Sequence, residues 1–354
     1  MRWLDDDLLS GPVARLLGEP HFLIFFVTSR CEFHCKDCLV HGLHEPAGRS
    51  DELTLREIEA IAGNLPRLGM LSLTGGEPFV REDLGEIARV LAASGKIRHL
   101  VIVTNGWHTE RILQTARGLR SSGIRRLSIR VSLQGPREIH DAICGVEGAY
   151  EHAVETLRRL VALRVPSGRL QVGSITTLHE DNVAALPGFL PFLQSLQLDT
   201  LSLNVLRHAR PGGGRTALDP GQVALLRSFH GANPSAFRRA YKSIVLGLQT
   251  GELDAPCQAG RLVAVLRENG DLYPCELLPR RMASLRDHDF DLARVWRSSE
   301  ARAVREFANR HCPSCTFECV IPLNLVCVPG LLARLGLRLI DEAIISKLFC
   351  SRRV

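Results

Sequence analysis

Between residues 22 and 206 apolar strand-like runs alternate with amphipathic stretches of helical period, and this alternation constrains the fold more than any other feature. Strands are predicted over 22–28, 70–73, 99–104, 127–133, 170–176 and 200–206. Helices are predicted over 54–65, 81–93, 109–121, 149–163 and 182–196, where apolar residues recur at three- and four-residue spacing. Six such units read as a parallel sheet wound into an incomplete barrel, an α/β fold of the partial (β/α)6, TIM-like kind. Pro211 and the glycines Gly212, Gly213 and Gly214 break the pattern and mark a boundary. The expected organisation is a short segment over 1–20, a barrel over 21–210, a linker and small cysteine-rich domain over 211–328, and a helical tail over 329–354.

The chain has 354 residues, 45% of them hydrophobic and 23% charged, enough to bury a large core and too apolar for disorder. Asp5, Asp6 and Asp7 stand where a secretory signal would carry basic residues, so no export signal is read and a reducing, cytoplasmic setting is expected. The formal charge of +6 is spread along the chain, and aromatics amount to only 5%, so a nucleic-acid surface is not indicated. From Ile321 to Phe349 the apolar run is interrupted by Asn324, Arg334, Arg338, Asp341 and Glu342, too many polar groups for a bilayer span. The alternatives for that stretch are a helix packed on the protein and a peripheral helix on a membrane surface. Eleven cysteines are unusual in such a chain, and in a reducing compartment clustered thiols read as metal ligands rather than disulfides.

Three of them, Cys31, Cys35 and Cys38, form a C-x3-C-x2-C triad on the loop after the first strand. Barrel folds assemble their active sites on that face. Three thiolates on one loop suit iron and sulfide, although with His34 or His41 they could also hold zinc. After the second strand comes Thr74-Gly75-Gly76-Glu77-Pro78, after the third Thr104-Asn105-Gly106, and after the fourth Ser132-Leu133-Gln134-Gly135. Glycines allow a ligand close to the backbone, and a carboxylate complements an ammonium. In this order the motifs resemble the radical SAM superfamily. The resemblance implies that the triad holds a 4Fe-4S cluster whose open iron binds S-adenosylmethionine. It also implies that Gly75, Gly76 and Glu77 contact the methionine part, while Thr104, Asn105, Ser132 and Gln134 contribute to cofactor binding. Three positions depart from the pattern: Gln134 replaces an Asp, Asp37 an aromatic residue, and Cys144 the arginine of an HDxxRG segment beginning at His140. Cys144 is therefore a candidate hydrogen-atom donor, with gap filling in the core as the plainer alternative.

Downstream, Asn269-Gly270 signals a hairpin that would bring Cys257 and Cys275 together, and Cys312-Pro313-Ser314-Cys315 adds a C-x2-C pair. This arrangement resembles the SPASM or twitch extension. By that resemblance Cys257, Cys275, Cys312 and Cys315 hold one auxiliary 4Fe-4S cluster, Cys319 is the alternative ligand, and Cys327 is available to an incomplete second one. A zinc knuckle is the competing reading of the same ligands, and Cys350 is read as an unliganded thiol. The family likeness implies an oxidoreductase or epimerase that generates a 5'-deoxyadenosyl radical and abstracts hydrogen from a small-molecule or lipid-linked substrate. It implies an electron donor such as flavodoxin or ferredoxin, and peptide maturation and a non-enzymatic metal scaffold are the alternatives.

Overall fold

The computed structural model describes residues 18–40, 51–165, 168–206, 218–312 and 321–350, with side chains up to 340 other than those of 322, 324 and 326. Strands β1 (Phe22–Thr28), β2 (Leu68–Gly75), β3 (Ile97–Thr104), β4 (Arg126–Ser132), β5 (Leu170–Leu178) and β6 (Thr200–Val205) each pair in parallel with the next. Between them run α1 (Leu55–Asn64), α2 (Leu84–Ala93), α3 (Thr109–Gly118), α4 (Arg137–Cys144), α5 (Ala149–Ala162), α6 (Glu180–Val183) and α7 (Leu186–Ser195). The six strands stand where the apolar runs place them. Helix α1 starts at a capping box in which the Thr54 hydroxyl and the Glu57 carboxylate each accept the other's backbone N–H. Two helices differ from expectation. The 81–93 helix begins only at Leu84, because Pro78–Val80 winds as a 3₁₀ turn and Arg81 is held by the carbonyls of Val27 and Leu53. The 182–196 helix is two, because His179 caps the short α6 and Pro187 opens α7.

All seven residues of β1 are buried, which explains its unbroken apolar run. One face, Leu23, Phe25 and Val27, joins the core beneath the helices with Ile58, Ile87 and Leu113. The other, Phe22, Ile24 and Phe26, packs against Leu262, Val263, Val265 and Leu277 from the cysteine-rich part. That part is no separate sheet. The predicted hairpin forms as β7 (Val263–Leu266) and β8 (Asp271–Tyr273), its turn closed by the Gly270 N–H on Arg267 O at 3.0 Å. Strand β7 then pairs in parallel with β1, from Phe22 with Val263 to Phe25 with Leu266. With β9 (Ala283–Ser284) the result is one nine-stranded sheet in the order β6-β5-β4-β3-β2-β1-β7-β8-β9.

The remaining helices are α8 (Pro220–Gly231), α9 (Ala236–Thr250), α10 (Leu292–Arg297), α11 (Ser299–His311), α12 (Ile321–Cys327) and α13 (Pro329–Cys350). Helices α9, α12 and α13 share an apolar cluster that includes Tyr241, Ile244, Leu325, Leu331 and Leu335. The boundary glycines at 212–214, Cys315 and Cys319 lie outside the described residues.

Candidate metal and cofactor site

Six parallel strands bring their C-terminal ends to one edge of the sheet, and the cysteine triad, Thr74–Pro78, Thr104–Gly106 and Ser132–Gly135 stand on that edge. The glycine pair explains how closely the first two loops meet. A Cβ on Gly75, at φ +141°, would lie 2.0 Å from Thr28 O, and one on Gly76 would lie 2.1 Å from Arg30 O. The bare backbones instead hydrogen-bond, Gly76 N–H to Thr28 O and Glu77 N–H to Arg30 O, both at 2.9 Å. The cysteine loop thus departs from a splint of β1 and β2. Glu52 braces it further, taking both Arg30 guanidinium bonds at 2.9 and 3.0 Å and the Thr28 hydroxyl.

Glu77 is 1% exposed. Its carboxylate accepts from Phe79 N–H at 3.0 Å, the Thr104 hydroxyl at 2.8 Å and Asn105 N–H at 2.7 Å. Burial pushes its pKa up to about 8 although these donors oppose the shift. Glu77 therefore ties the second loop to the third with its own hydrogen bonds. Asn105 passes the tie on, its amide donating to Glu32 at 3.3 Å and its side-chain oxygen accepting from Trp107 N–H at 2.9 Å. The other Glu32 oxygen, Oε2, is buried with no hydrogen-bond partner among the described residues, and His108 Nε2 stands 3.2 Å from Oε1.

Cys31, Cys35 and Cys38 are each half-buried. Burial pushes the Cys31 thiol up to about 12. Cys35 and Cys38 line a cavity of about 190 Å³ together with Asp37, Gln134, Thr177, His179, Asn204 and Leu206. Asp37 has φ +54°, tolerable for an Asp, and its carboxylate pairs with His179 Nε2 at 2.8 Å. Gln134 accepts Thr177 N–H at 2.8 Å through Oε1, so its place beside the cavity is set by β5. Ser132 ends β4 on the same edge, half-buried.

Cys144 is placed differently from the expectation of a donor facing substrate. It is 3% exposed, packs with Phe33, Cys31 and Cys35 on the buried side of the loop, and does not line the cavity. Its thiol bonds toward Cys35, which pushes the Cys144 pKa up and draws that of Cys35 down. Helix α4 holds the loop by its backbone as well, since Cys144 O accepts His34 N–H at 3.1 Å and Ile143 O accepts Lys36 N–H at 2.9 Å. His140 beneath it accepts Gln134 N–H at Nδ1, and burial pushes its pKa down to about 4.

Three thiols on one loop, two of them on the cavity wall, with an orphaned carboxylate oxygen beside them and the loop pinned at both ends, fit a group with several separated corners. Among the described residues no three His, Cys, Asp or Glu side chains converge as the ligands of one metal ion. In the C-terminal part Cys257, Cys275 and Cys327 pack against the same apolar cluster as Cys38, whereas Cys312 follows the end of α11 outside it. Sequence reasoning missed Glu52, Glu32, His108 and His179, whose partners are remote in the chain. The position of His179 directly after a strand on the motif-bearing edge was the only available signal.

Residues 25–190 match the radical SAM superfamily, and residues 257–319 match an iron-sulfur cluster-binding domain, SPASM. The GTP 3',8-cyclase of Shewanella denitrificans is 28% identical over 183 residues, 51% of each chain, and that of Synechococcus elongatus 32% identical over 176 residues, 49% of this chain and 51% of its own. The chain thus spans about half the length of the curated relatives it matches. The structure of Streptococcus suis SuiB bound to the precursor peptide SuiA is similar in fold, with a TM-score of 0.60 and 17% identity, covering 87% of this chain and 71% of SuiB.

Proposed function

We propose that this chain, which carries a radical SAM domain joined to an iron-sulfur cluster-binding domain, is an enzyme that cleaves S-adenosylmethionine reductively and oxidises a small-molecule or lipid-linked substrate by hydrogen abstraction. Cys31, Cys35 and Cys38 would hold the 4Fe-4S cluster, and Cys257, Cys275, Cys312 and Cys315 an auxiliary one; with S-adenosylmethionine bound, these groups supply a 5'-deoxyadenosyl radical and an acceptor for the substrate's electron. The chain's own residues do the positioning. Gly75 and Gly76 open the backbone beside the triad, Glu77 fixes the Thr104–Asn105 turn against it, and the uncommitted Glu32 oxygen offers an acceptor to a cationic or hydroxyl group. Gln134 and the Asp37–His179 pair form the polar side of the cavity. The low-dielectric packing of Phe33, Trp107 and Ala149 on the loop's buried side keeps water from it there.

The observation that carries this reading is the direct knitting of three motif loops, with Gly76 and Glu77 bonded to the triad's root and Asn105 bonded to Glu77. Reduced anaerobic protein should convert S-adenosylmethionine to 5'-deoxyadenosine, detected by chromatography, and replacing Cys31, Cys35 and Cys38 together with Ala should stop it. A protein that binds iron yet never forms 5'-deoxyadenosine is a scaffold, and the proposal fails. Peptide modification is the second reading, favoured by the likeness to a peptide-bound structure over 87% of the chain. Offering GTP in the same assay tests the chemistry named for the curated relatives.

A further inference from the structure

Among the described residues, the large apolar side chains that stand exposed are Leu332, Leu337 and Ile340, at 44%, 62% and 57%. All three belong to α13. The helix buries Leu331 and Leu335, at 4% and 7%, against α9 and α12. With about 100° between successive residues, Leu332, Ala333, Gly336, Leu337 and Ile340 occupy one outward arc of roughly 140°. Described turns 329–340 are therefore apolar on the packed face and on the outward face alike. Arg334 and Arg338, both exposed, run along one border of the outward arc, and no acidic residue occurs between 329 and 340. A helix that only packs on its protein needs one apolar face. The second is free to meet a partner.

We propose that α13 lies on an anionic membrane surface, with Leu332, Leu337 and Ile340 among the acyl chains and Arg334 and Arg338 at the phosphate headgroups. A basic border beside an apolar arc complements anionic lipid. A second copy seated on the same arc over 329–340 would bring arginine toward arginine, the nearest acids of the helix being Asp341 and Glu342 at the next turn. No helix of the described residues is long and apolar enough to cross a membrane, so the contact is peripheral. Over 329–354 the sequence carries Arg334, Arg338, Lys347, Arg352 and Arg353 against Asp341 and Glu342, a balance of the right sign for the same surface. The placement also bears on the site. Cys327, which immediately precedes the turn into α13, packs in the α9–α12–α13 cluster and in the cluster that holds Cys38, Cys257 and Cys275. A membrane beneath α13 would thus lie one helical layer from the cysteine-rich core. The inference rests on α13 alone and stands whatever reaction the triad supports.

The test uses the full-length protein and vesicles of phosphatidylcholine with or without phosphatidylglycerol, read by co-sedimentation. The wild type should sediment with the phosphatidylglycerol vesicles, release as salt rises, and bind pure phosphatidylcholine poorly. The double change Leu337→Glu and Ile340→Glu should weaken binding about tenfold or more, and Arg334→Gln with Arg338→Gln should lower it and flatten its salt dependence. Unchanged far-UV circular dichroism shows that both variants fold, because every substituted side chain is exposed. A wild type that stays in the supernatant, or binding indifferent to both variants, overturns the proposal. So does a concentration-dependent dimer that Leu337→Glu with Ile340→Glu dissolves, which would make the arc a contact between copies.

Discussion

Glu77 holds together loops from two strands, and two of its three donors are backbone N–H groups that cannot reverse their polarity. Glu77→Gln must therefore turn an amide NH₂ toward one of them. The variant should lose about 1–3 kcal/mol of stability in urea denaturation, with 5'-deoxyadenosine formation falling further because the Asn105 turn loosens. His140 supplies a pH dependence. Its Nδ1 accepts the Gln134 N–H and burial pushes its pKa down to about 4, so the folded chain prefers the neutral ring. The unfolded chain protonates first, near 6.5, so this stability is full above that value and drains away as pH falls toward 4. The stability gap between the wild type and His140→Gln should shrink by about 2 kcal/mol from pH 7 to pH 5, and a gap independent of pH would place the ring in water.

The end of β2 is fitted closely to the loop leaving β1. Gly76→Ala would set a methyl 2.1 Å from Arg30 O, a contact with backbone rather than with a yielding side chain. Separation of the two strand ends should cost about 2–4 kcal/mol, and the variant should retain less iron on the triad after anaerobic reconstitution, measured beside the auxiliary iron. The six parallel strands were legible in the sequence because strands covered on both faces read as plain apolar runs, as in Phe22–Thr28. The order of the cysteine triad, glycine pair and Thr104–Asn105 turn was legible because each follows its own strand directly. What escaped was partnership across distance. Nothing local in Val263–Leu266 says that it will lie along β1, and nothing near Asp37 names His179, 142 residues on. The Cys144 position was visible, but the face of α4 that it occupies was not, since that depends on how the loop of His34 and Lys36 folds back onto it.

Among the described residues the sheet runs without interruption from β6 to β9, so strands from before residue 207 and after residue 217 share one framework. A truncation after residue 206 would strip β7 from β1 and leave an apolar strand with an open edge. That fragment should aggregate on size exclusion while the intact chain does not, and a monodisperse fragment would show that the barrel stands alone. Because every parallel strand points the same way, the connections entering the strands gather at the opposite end from the cysteine triad and the glycine pair. One of them, the turn at Ser122–Gly123 before β4, is exposed or half-buried, and Gly123 has open space around it. A fluorophore or affinity handle attached there would stand a full strand's length from the cysteine triad, where it could report on the protein or immobilise it with the triad's end left free to the medium.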